Sequence, residues 1–188
     1  MREHGGLLQM QQIGCQCLHN MSRGSLHCIQ GICEADGLKR CVCACRWYPT
    51  QPFITHLVAG VFANLGQIEA ARGGGGGGGS GSAGGSAGPS AIMREVLDVH
   101  AIPALIHAID RHKTKAPVAE RGLAAFGNLL LSGGGLAAAQ AVRHRGLDLV
   151  SDCMRSHSRN MHILLQACNC YINAAAVSLE VKEVIATN

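Results

Sequence analysis

The chain has 188 residues, which is enough for one domain of ordinary size. Its hydrophobic fraction is 47%, yet only 3% of its residues are aromatic and 25 are glycine. The core must therefore be built from Ala, Leu, Val and Ile, a composition that suits helices more than sheets. The net charge of +4 is small and is spread over both halves of the chain, which argues against a nucleic-acid partner.

Targeting segments are not evident in the sequence. No uninterrupted apolar run approaches the ~18–20 residues that a membrane-spanning helix needs. The first residues lack the apolar stretch of a secretory signal. We therefore predict no membrane partner and a location in the cytoplasm or the nucleus, where the ten cysteines stay as thiols.

The first 50 residues are rich in cysteine and show no hydrophobic period. Seven cysteines fall between Cys15 and Cys45. Structural zinc sites favour two to four residues between paired ligands, and only Cys28 with Cys33 has that spacing. Two interpretations remain, a zinc-binding module or a cysteine-rich leader of low order over 1–50. We expect the disordered leader, with no bound metal and no cofactor.

Helical patterns begin after this segment. Residues 51–72 predict one amphipathic helix that starts at Pro52, and residues 73–90 predict a flexible Gly/Ser linker with no capacity to pack. From residue 91 onward prolines fit the first turns of helices, and glycines separate them. The predicted helices are 92–99, 101–112, 117–131, 136–144, 146–157 and 161–176, and residues 177–188 begin another.

An internal repeat organises these helices. Residues 101–131 align without a gap on 146–176 at an offset of 45, with apolar residues at matching positions. Asn128 coincides with Asn173 late in the longest helix. Asn64 joins the series once the 18-residue glycine tract is removed, because its separation from Asn128 then falls from 64 to 46. The tract therefore reads as an insertion in a loop between repeats.

A period of about 40–47 residues with two or three helices per unit is typical of armadillo and HEAT repeats. The order short, medium and long helix, with the motif "FGNL" late in the third, resembles the armadillo repeat. The resemblance covers 51–188 apart from the insert. It implies an all-α, right-handed armadillo-type solenoid of about two and a half repeats. Full repeats would span 91–135 and 136–176, between a partial first repeat at 51–72 and a truncated one at 177–188.

Polar side chains form a stripe along the longest helices. In 161–176 they recur at spacings of 4, 3 and 4, which places them on one helical face. The resemblance puts this face on a concave groove lined by the third helices. The predicted partner-binding residues are Asn64, Arg121, Asn128, His162, Gln166, Asn169 and Asn173. Each amide can both donate to and accept from a peptide backbone. The alternative is that each asparagine bonds only to a neighbouring helix or loop.

The resemblance implies a protein or an extended peptide as partner, rather than a nucleic acid or a small-molecule substrate. Importin-α repeats carry a tryptophan four residues before this asparagine, whereas this chain has Gly60, Ala124 and Asn169. Binding of basic nuclear signals is therefore not implied. His112 and His157 recur at the end of the medium helix, where a histidine can interact with exposed carbonyls and the helix dipole.

Catalytic motifs do not appear in the sequence. The glycine run lacks the lysine and the helix start that a phosphate-binding loop requires. We predict a non-enzymatic scaffold or adaptor. The alternative is the regulatory region of a larger enzyme, for example a kinase.

Overall fold

The computed structural model describes residues 7–73 and 89–177, and within these ranges the chain contains nine helices and no strands. The predicted all-α class is confirmed for this part of the chain. The glycine insert at 74–88 and most of the predicted last repeat, 178–188, lie outside the described residues. The helices are α1 Leu8–Ser22, α2 Leu26–Glu34, α3 Gly37–Trp47, α4 Pro52–Gly73, α5 Ala91–Asp98, α6 Ala101–His112, α7 Ala116–Arg143, α8 Gly146–Ser156 and α9 Met161–Val177.

The helices predicted between Pro52 and residue 176 are confirmed. Within α7 the non-helical residue Gly134 separates two helical stretches, which correspond to the predicted helices 117–131 and 136–144. That residue has φ 56° and ψ −144°, a conformation that glycine reaches without the steric clash of a Cβ. The kink therefore redirects the chain at the place where the sequence predicts a loop.

The structure corrects the prediction of a low-order leader over 1–50. Residues 8–47 form α1, α2 and α3, and these helices belong to the core. Cys15 and Cys41 are fully buried, as Leu105 is in α6. A free cysteine behaves as a small hydrophobic side chain and is among the residues most often buried. Cysteine in place of leucine or isoleucine hid the apolar period in this segment.

A recurring turn links the short helix to the medium helix in three places. Asp36, His100 and Arg145 each directly precede a medium helix, and each has φ of 56–57°. A residue other than glycine in this left-handed region is uncommon, because its Cβ approaches the neighbouring carbonyl. The same backbone conformation therefore occurs at the same place in three helix pairs. These pairs are α2 with α3, α5 with α6, and the end of α7 with α8.

Helices of the same kind pack against one another in chain order. The long helices pack α1 on α4, α4 on α7 and α7 on α9, and the medium helices pack α3 on α6 and α6 on α8. The buried side chains form one continuous cluster, in which Phe62 and Phe126 are the largest fully buried residues. Each long helix from α4 to α9 therefore lies beside the one that precedes it.

One face of α9 is exposed, whereas the equivalent face of α7 is buried by the next long helix. Cys168 is exposed and Ile172 is 63% exposed. Their counterparts 45 residues earlier, Leu123 and Gly127, are buried on α7, where Cys170 of α9 contacts them. The exposed face of α9 is therefore equivalent to the face of α7 that packs against α9.

Helix α7 is the described helix that is long and apolar enough to cross a membrane, judged by length and composition alone. Its 28 residues contain no uninterrupted apolar run of that length, but they are apolar on average. Within its most apolar window 56% is buried, and the helix packs against α4, α6 and α9. That environment is the one expected for the core helix of a packed domain.

Thiol reactivity tests whether the cysteine-rich segment is folded. We expect brief treatment with N-ethylmaleimide to modify the exposed Cys17 and Cys168 and to spare Cys15, Cys41 and Cys45. Burial raises the pKa of Cys15 to about 11 and that of Cys45 to about 12, so both stay in the unreactive thiol form. Mass spectrometry of digested peptides measures each site. Equal reaction at Cys17 and Cys41 would contradict the packing of α3.

Candidate functional site

The recurring asparagines bind neighbouring helices through their amide nitrogens. The Asn128 Nδ2 donates to the Ala63 carbonyl at 2.9 Å, and the Asn173 Nδ2 donates to the Gly127 carbonyl at 2.9 Å. Each acceptor directly precedes the asparagine of the previous long helix, Asn64 or Asn128. The asparagines therefore form a ladder, in which each amide donor connects one long helix to the preceding long helix.

Asn64 makes the equivalent link to α1. Its Nδ2 donates to the Ser22 Oγ at 2.9 Å, and that hydroxyl donates to the His19 carbonyl at 2.8 Å. Within the described chain no hydrogen bond reaches the Oδ1 of Asn64, Asn128 or Asn173, and all three residues are half-buried. Each amide thus uses its donor within the fold, and its oxygen accepts no hydrogen bond from another described residue.

Further contacts hold the long helices close together. The Ser132 Oγ donates to the Gly66 carbonyl at 2.9 Å, and the Cys170 Sγ donates to the Leu123 carbonyl at 3.2 Å. A Cβ at Gly66 would lie 2.7 Å from the Cβ of Asn128, so α4 and α7 approach closely there. Helical carbonyls can accept these bonds because each has a second lone pair. The surface formed by the long helices is therefore firmly preformed.

The recurring histidines connect successive medium helices. The His112 Nε2 donates to the Pro49 carbonyl at 2.9 Å, and the His157 Nε2 donates to the Lys113 carbonyl at 2.7 Å. The sequence predicts interaction with carbonyls exposed at a helix end, and the structure places the acceptors in the loop after the preceding medium helix. These histidines are thus connectors between neighbouring loops.

The other predicted partner-binding residues lie in two places. Arg121 is half-buried on α7 and lines one cavity together with Asn64. His162, Gln166 and Asn169 lie on α9, where their side chains make no hydrogen bond within the described residues, and His162 lines a separate hollow beside the preceding loop. The structure therefore brings Asn64 and Arg121 together and leaves the α9 residues on their own helix.

The cavity shared by Asn64 and Arg121 lies between α1, α4 and α7. It has a volume of about 550 Å³, and its polar lining residues are His19, Ser22, Arg23, Asn64, Gln67 and Arg121. Sequence reasoning missed the residues that come from α1. The available signal was the spacing of 4, 4 and 3 in Gln11, Cys15, His19 and Ser22, which are the buried residues of that helix. Polar residues and a cysteine on this buried face concealed its amphipathic period.

The cavity is electrostatically positive. The guanidinium groups of Arg23 and Arg121 line it, and none of its lining residues is acidic. His19 is only 8% exposed, and its Nδ1 has no hydrogen-bond partner within the described chain. Burial, followed by the charges of Arg121, Arg23 and His56, lowers the pKa of His19. This histidine is therefore neutral at pH 7, and the positive charge comes from the arginines.

Comparison with models of protein families, with curated proteins and with solved structures finds no match to this chain. Among the residues that the structure describes, no three histidine, cysteine, aspartate or glutamate side chains lie close enough together to hold a metal ion. Cys28 and Cys33, which have zinc-like spacing, are half-buried on α2. The geometry of the described residues therefore defines the candidate site: the polar surface of the long helices, with the cavity that Arg23 and Arg121 line.

The asparagine ladder is tested by replacing one amide donor with a carboxylate, which can only accept a hydrogen bond. We expect Asn128→Asp to lower the free energy of unfolding by about 1–3 kcal/mol, because a carboxylate oxygen would face the Ala63 carbonyl and the hydrogen bond would be lost. Urea denaturation followed by circular dichroism measures the change. The control is Asn169→Asp, an exposed site on α9, with an expected effect within about 0.5 kcal/mol. Equal effects at both sites would contradict a stabilising role for the ladder.

Proposed function

We propose that this chain is a non-enzymatic scaffold or adaptor of the armadillo type, which binds an extended peptide or protein partner along the surface of its long helices. One observation carries the proposal. Asn128 and Asn173 occupy the same position on successive long helices, and each donates to the residue that precedes its counterpart. Amides aligned in this way recur at a constant spacing along one surface.

The packing order supports an armadillo arrangement. Short, medium and long helices follow one another, a left-handed residue opens each medium helix, and long helices pack on long helices. Units that contact mainly their neighbours are characteristic of helical solenoids. In such a solenoid α2–α4 would form a full unit before 91–135 and 136–176, and α1 would be the third helix of another.

The spacing of the amides suits a peptide backbone. Neighbouring helices pack about 8–10 Å apart, so the acceptors of successive long helices recur at roughly that distance. A polyproline II segment has three residues per turn and a rise of about 3.1 Å per residue, which returns an amide N–H to the same side every ~9 Å. A peptide in this conformation can therefore present one donor to each of Asn64, Asn128 and Asn173.

Selection from a peptide library tests the proposed function. A random 16-residue library displayed on phage is selected on the full chain, and synthetic versions of the selected peptides are measured by fluorescence anisotropy. The groove variant carries Gln166→Ala and Asn169→Ala, whose side chains make no hydrogen bond within the described residues. The control is Lys39→Ala, an exposed residue of the medium helix α3.

We expect selected peptides to lose at least about tenfold in affinity for the groove variant, equivalent to about 1.4 kcal/mol, and to bind the control as they bind the original chain. Peptides that lose affinity for the Lys39 variant alone would place binding at α3. That result, or a selection that yields no peptide, would contradict the proposal.

A further inference from the structure

The cavity between α1, α4 and α7 contains two arginines without partners. Arg23 follows the end of α1, and Arg121 lies on α7, so packing brings together charges that are 98 residues apart in the chain. Neither guanidinium forms an ion pair or a hydrogen bond with another described residue. Two like charges that line one cavity repel each other, and an anion between them would offset that repulsion.

His19 adds a second, independent feature to the same cavity. Its ring lies against Gly60, where a Cβ would stand 2.3 Å from the Cε1 and Nδ1 atoms. The Nδ1 is buried and has no partner within the described chain. The Nδ1 edge is therefore shielded by α4, while the ring as a whole lines the cavity and lies near any charge bound there.

We propose that this cavity binds an anionic side chain of an acidic peptide, with Arg23 and Arg121 as its charge partners and the His19 ring beside them. A guanidinium matches the planar, two-oxygen geometry of a carboxylate and binds phosphoryl oxygens equally well. The amides of Asn64 and Gln67 line the same space and add neutral hydrogen-bonding groups. The inference rests on the proposed function and names the class of peptide that the surface selects.

Proton linkage gives this site a recognisable signature. Burial and the neighbouring Arg121, Arg23 and His56 lower the pKa of His19 in the unliganded chain. An anion placed among these groups favours the charged imidazolium, so binding raises that pKa and takes up a proton. Affinity should therefore rise as the pH falls from 7.5 to 6.0, a range in which glutamate stays ionised. Arginines alone would give no such dependence.

The experiment measures binding of labelled peptides to the full chain by fluorescence anisotropy at low salt. The probes are a peptide with three consecutive glutamates, its glutamine counterpart and a version with phosphoserine. The variants are Arg23→Gln, Arg121→Gln and His19→Gln. The matched control is Arg111→Gln, which removes the same charge from a different cavity beside α6. Arg23 is exposed after α1, so its variant keeps the fold even where another loses it.

We expect the glutamate peptide to bind at least tenfold more tightly than the glutamine peptide. Each arginine variant should weaken it at least tenfold, Arg111→Gln should change it less than twofold, and His19→Gln should abolish the rise at low pH. Tighter binding of the phosphoserine peptide would identify phosphoryl groups as the source of the anion. Equal binding of glutamate and glutamine peptides, or equal loss in the Arg111 variant, would overturn the assignment, and a flat pH profile would remove His19 from it.

These results separate the two proposals. In one outcome, selected peptides lose affinity when Gln166 and Asn169 are replaced, carry no acidic residue and bind the Arg23 variant normally. That result would support the proposed groove and refute the anion site. Acidic peptides that depend on Arg23 but ignore both α9 residues would retain the anion site and refute the groove. Peptides indifferent to all of these variants would refute both.

Discussion

Replacing Phe126 with alanine is expected to lower the free energy of unfolding by about 3–5 kcal/mol, the range typical of a buried phenylalanine. Phe126 is fully buried on α7 and belongs to the continuous core cluster. Its ring also reaches the start of α8, since a Cβ at Gly146 would lie 2.6 Å from its Cζ. Truncation would therefore leave a cavity between two helices.

Phe53 supplies the matched control for this measurement. It is 50% exposed near the start of α4, so Phe53→Ala should change stability by less than about 1 kcal/mol. Urea denaturation, followed by circular dichroism at 222 nm, gives both free energies on the same chain. A loss below 1 kcal/mol for Phe126→Ala would show that α7 is not packed as described.

Replacing Gly66 with alanine is expected to destabilise the chain by about 1–3 kcal/mol, the usual effect of overpacking. A Cβ there would lie 2.7 Å from the Asn128 Cβ and 3.0 Å from its backbone carbon. Backbone atoms cannot rotate away as a flexible side chain can. The two helices would have to separate, which would also strain the bond from the Ser132 Oγ to the Gly66 carbonyl.

Gly31→Ala is the control, because we expect it to stabilise the chain, whereas Gly66→Ala should destabilise it. Nothing lies within 4 Å of a Cβ at this position of α2, so alanine meets open space. Alanine is favoured over glycine inside a helix by about 1 kcal/mol, and we expect a gain of up to that size. Thermal unfolding and urea titration measure both variants. Stabilisation by alanine at Gly66 as well would contradict the close approach of α4 and α7.

Rigid packing of the long helices has a consequence for binding. Bonds from Asn128, Ser132 and Asn173 to neighbouring carbonyls hold these helices in register. A surface that is already ordered loses little conformational freedom when a partner binds, so more of the contact energy appears as affinity. This order of the long helices therefore favours the binding of the proposed peptide partner.

The helices after Pro52 could be predicted because local signals agreed. Proline at first turns, glycine between helices and apolar residues at helical spacing all pointed to the same elements, and the 45-residue offset related the last two sets. The first 47 residues were not predicted because cysteines stand where aliphatic residues recur elsewhere. Alignment of Gly37–Leu38 with Gly146–Leu147 was the signal that could have revealed α3.

The role of each side chain was decided by tertiary structure. The sequence by itself determined that Asn64, Asn128 and Asn173 recur, because a period is a property of the chain. Only packing decided that their nitrogens face a neighbouring helix, and only packing brought Arg23 of the α1 end beside Arg121 of α7. Hydrogen bonds and charge contacts depend on distances of a few ångströms between segments far apart in the chain, and helical periodicity carries no information about such distances.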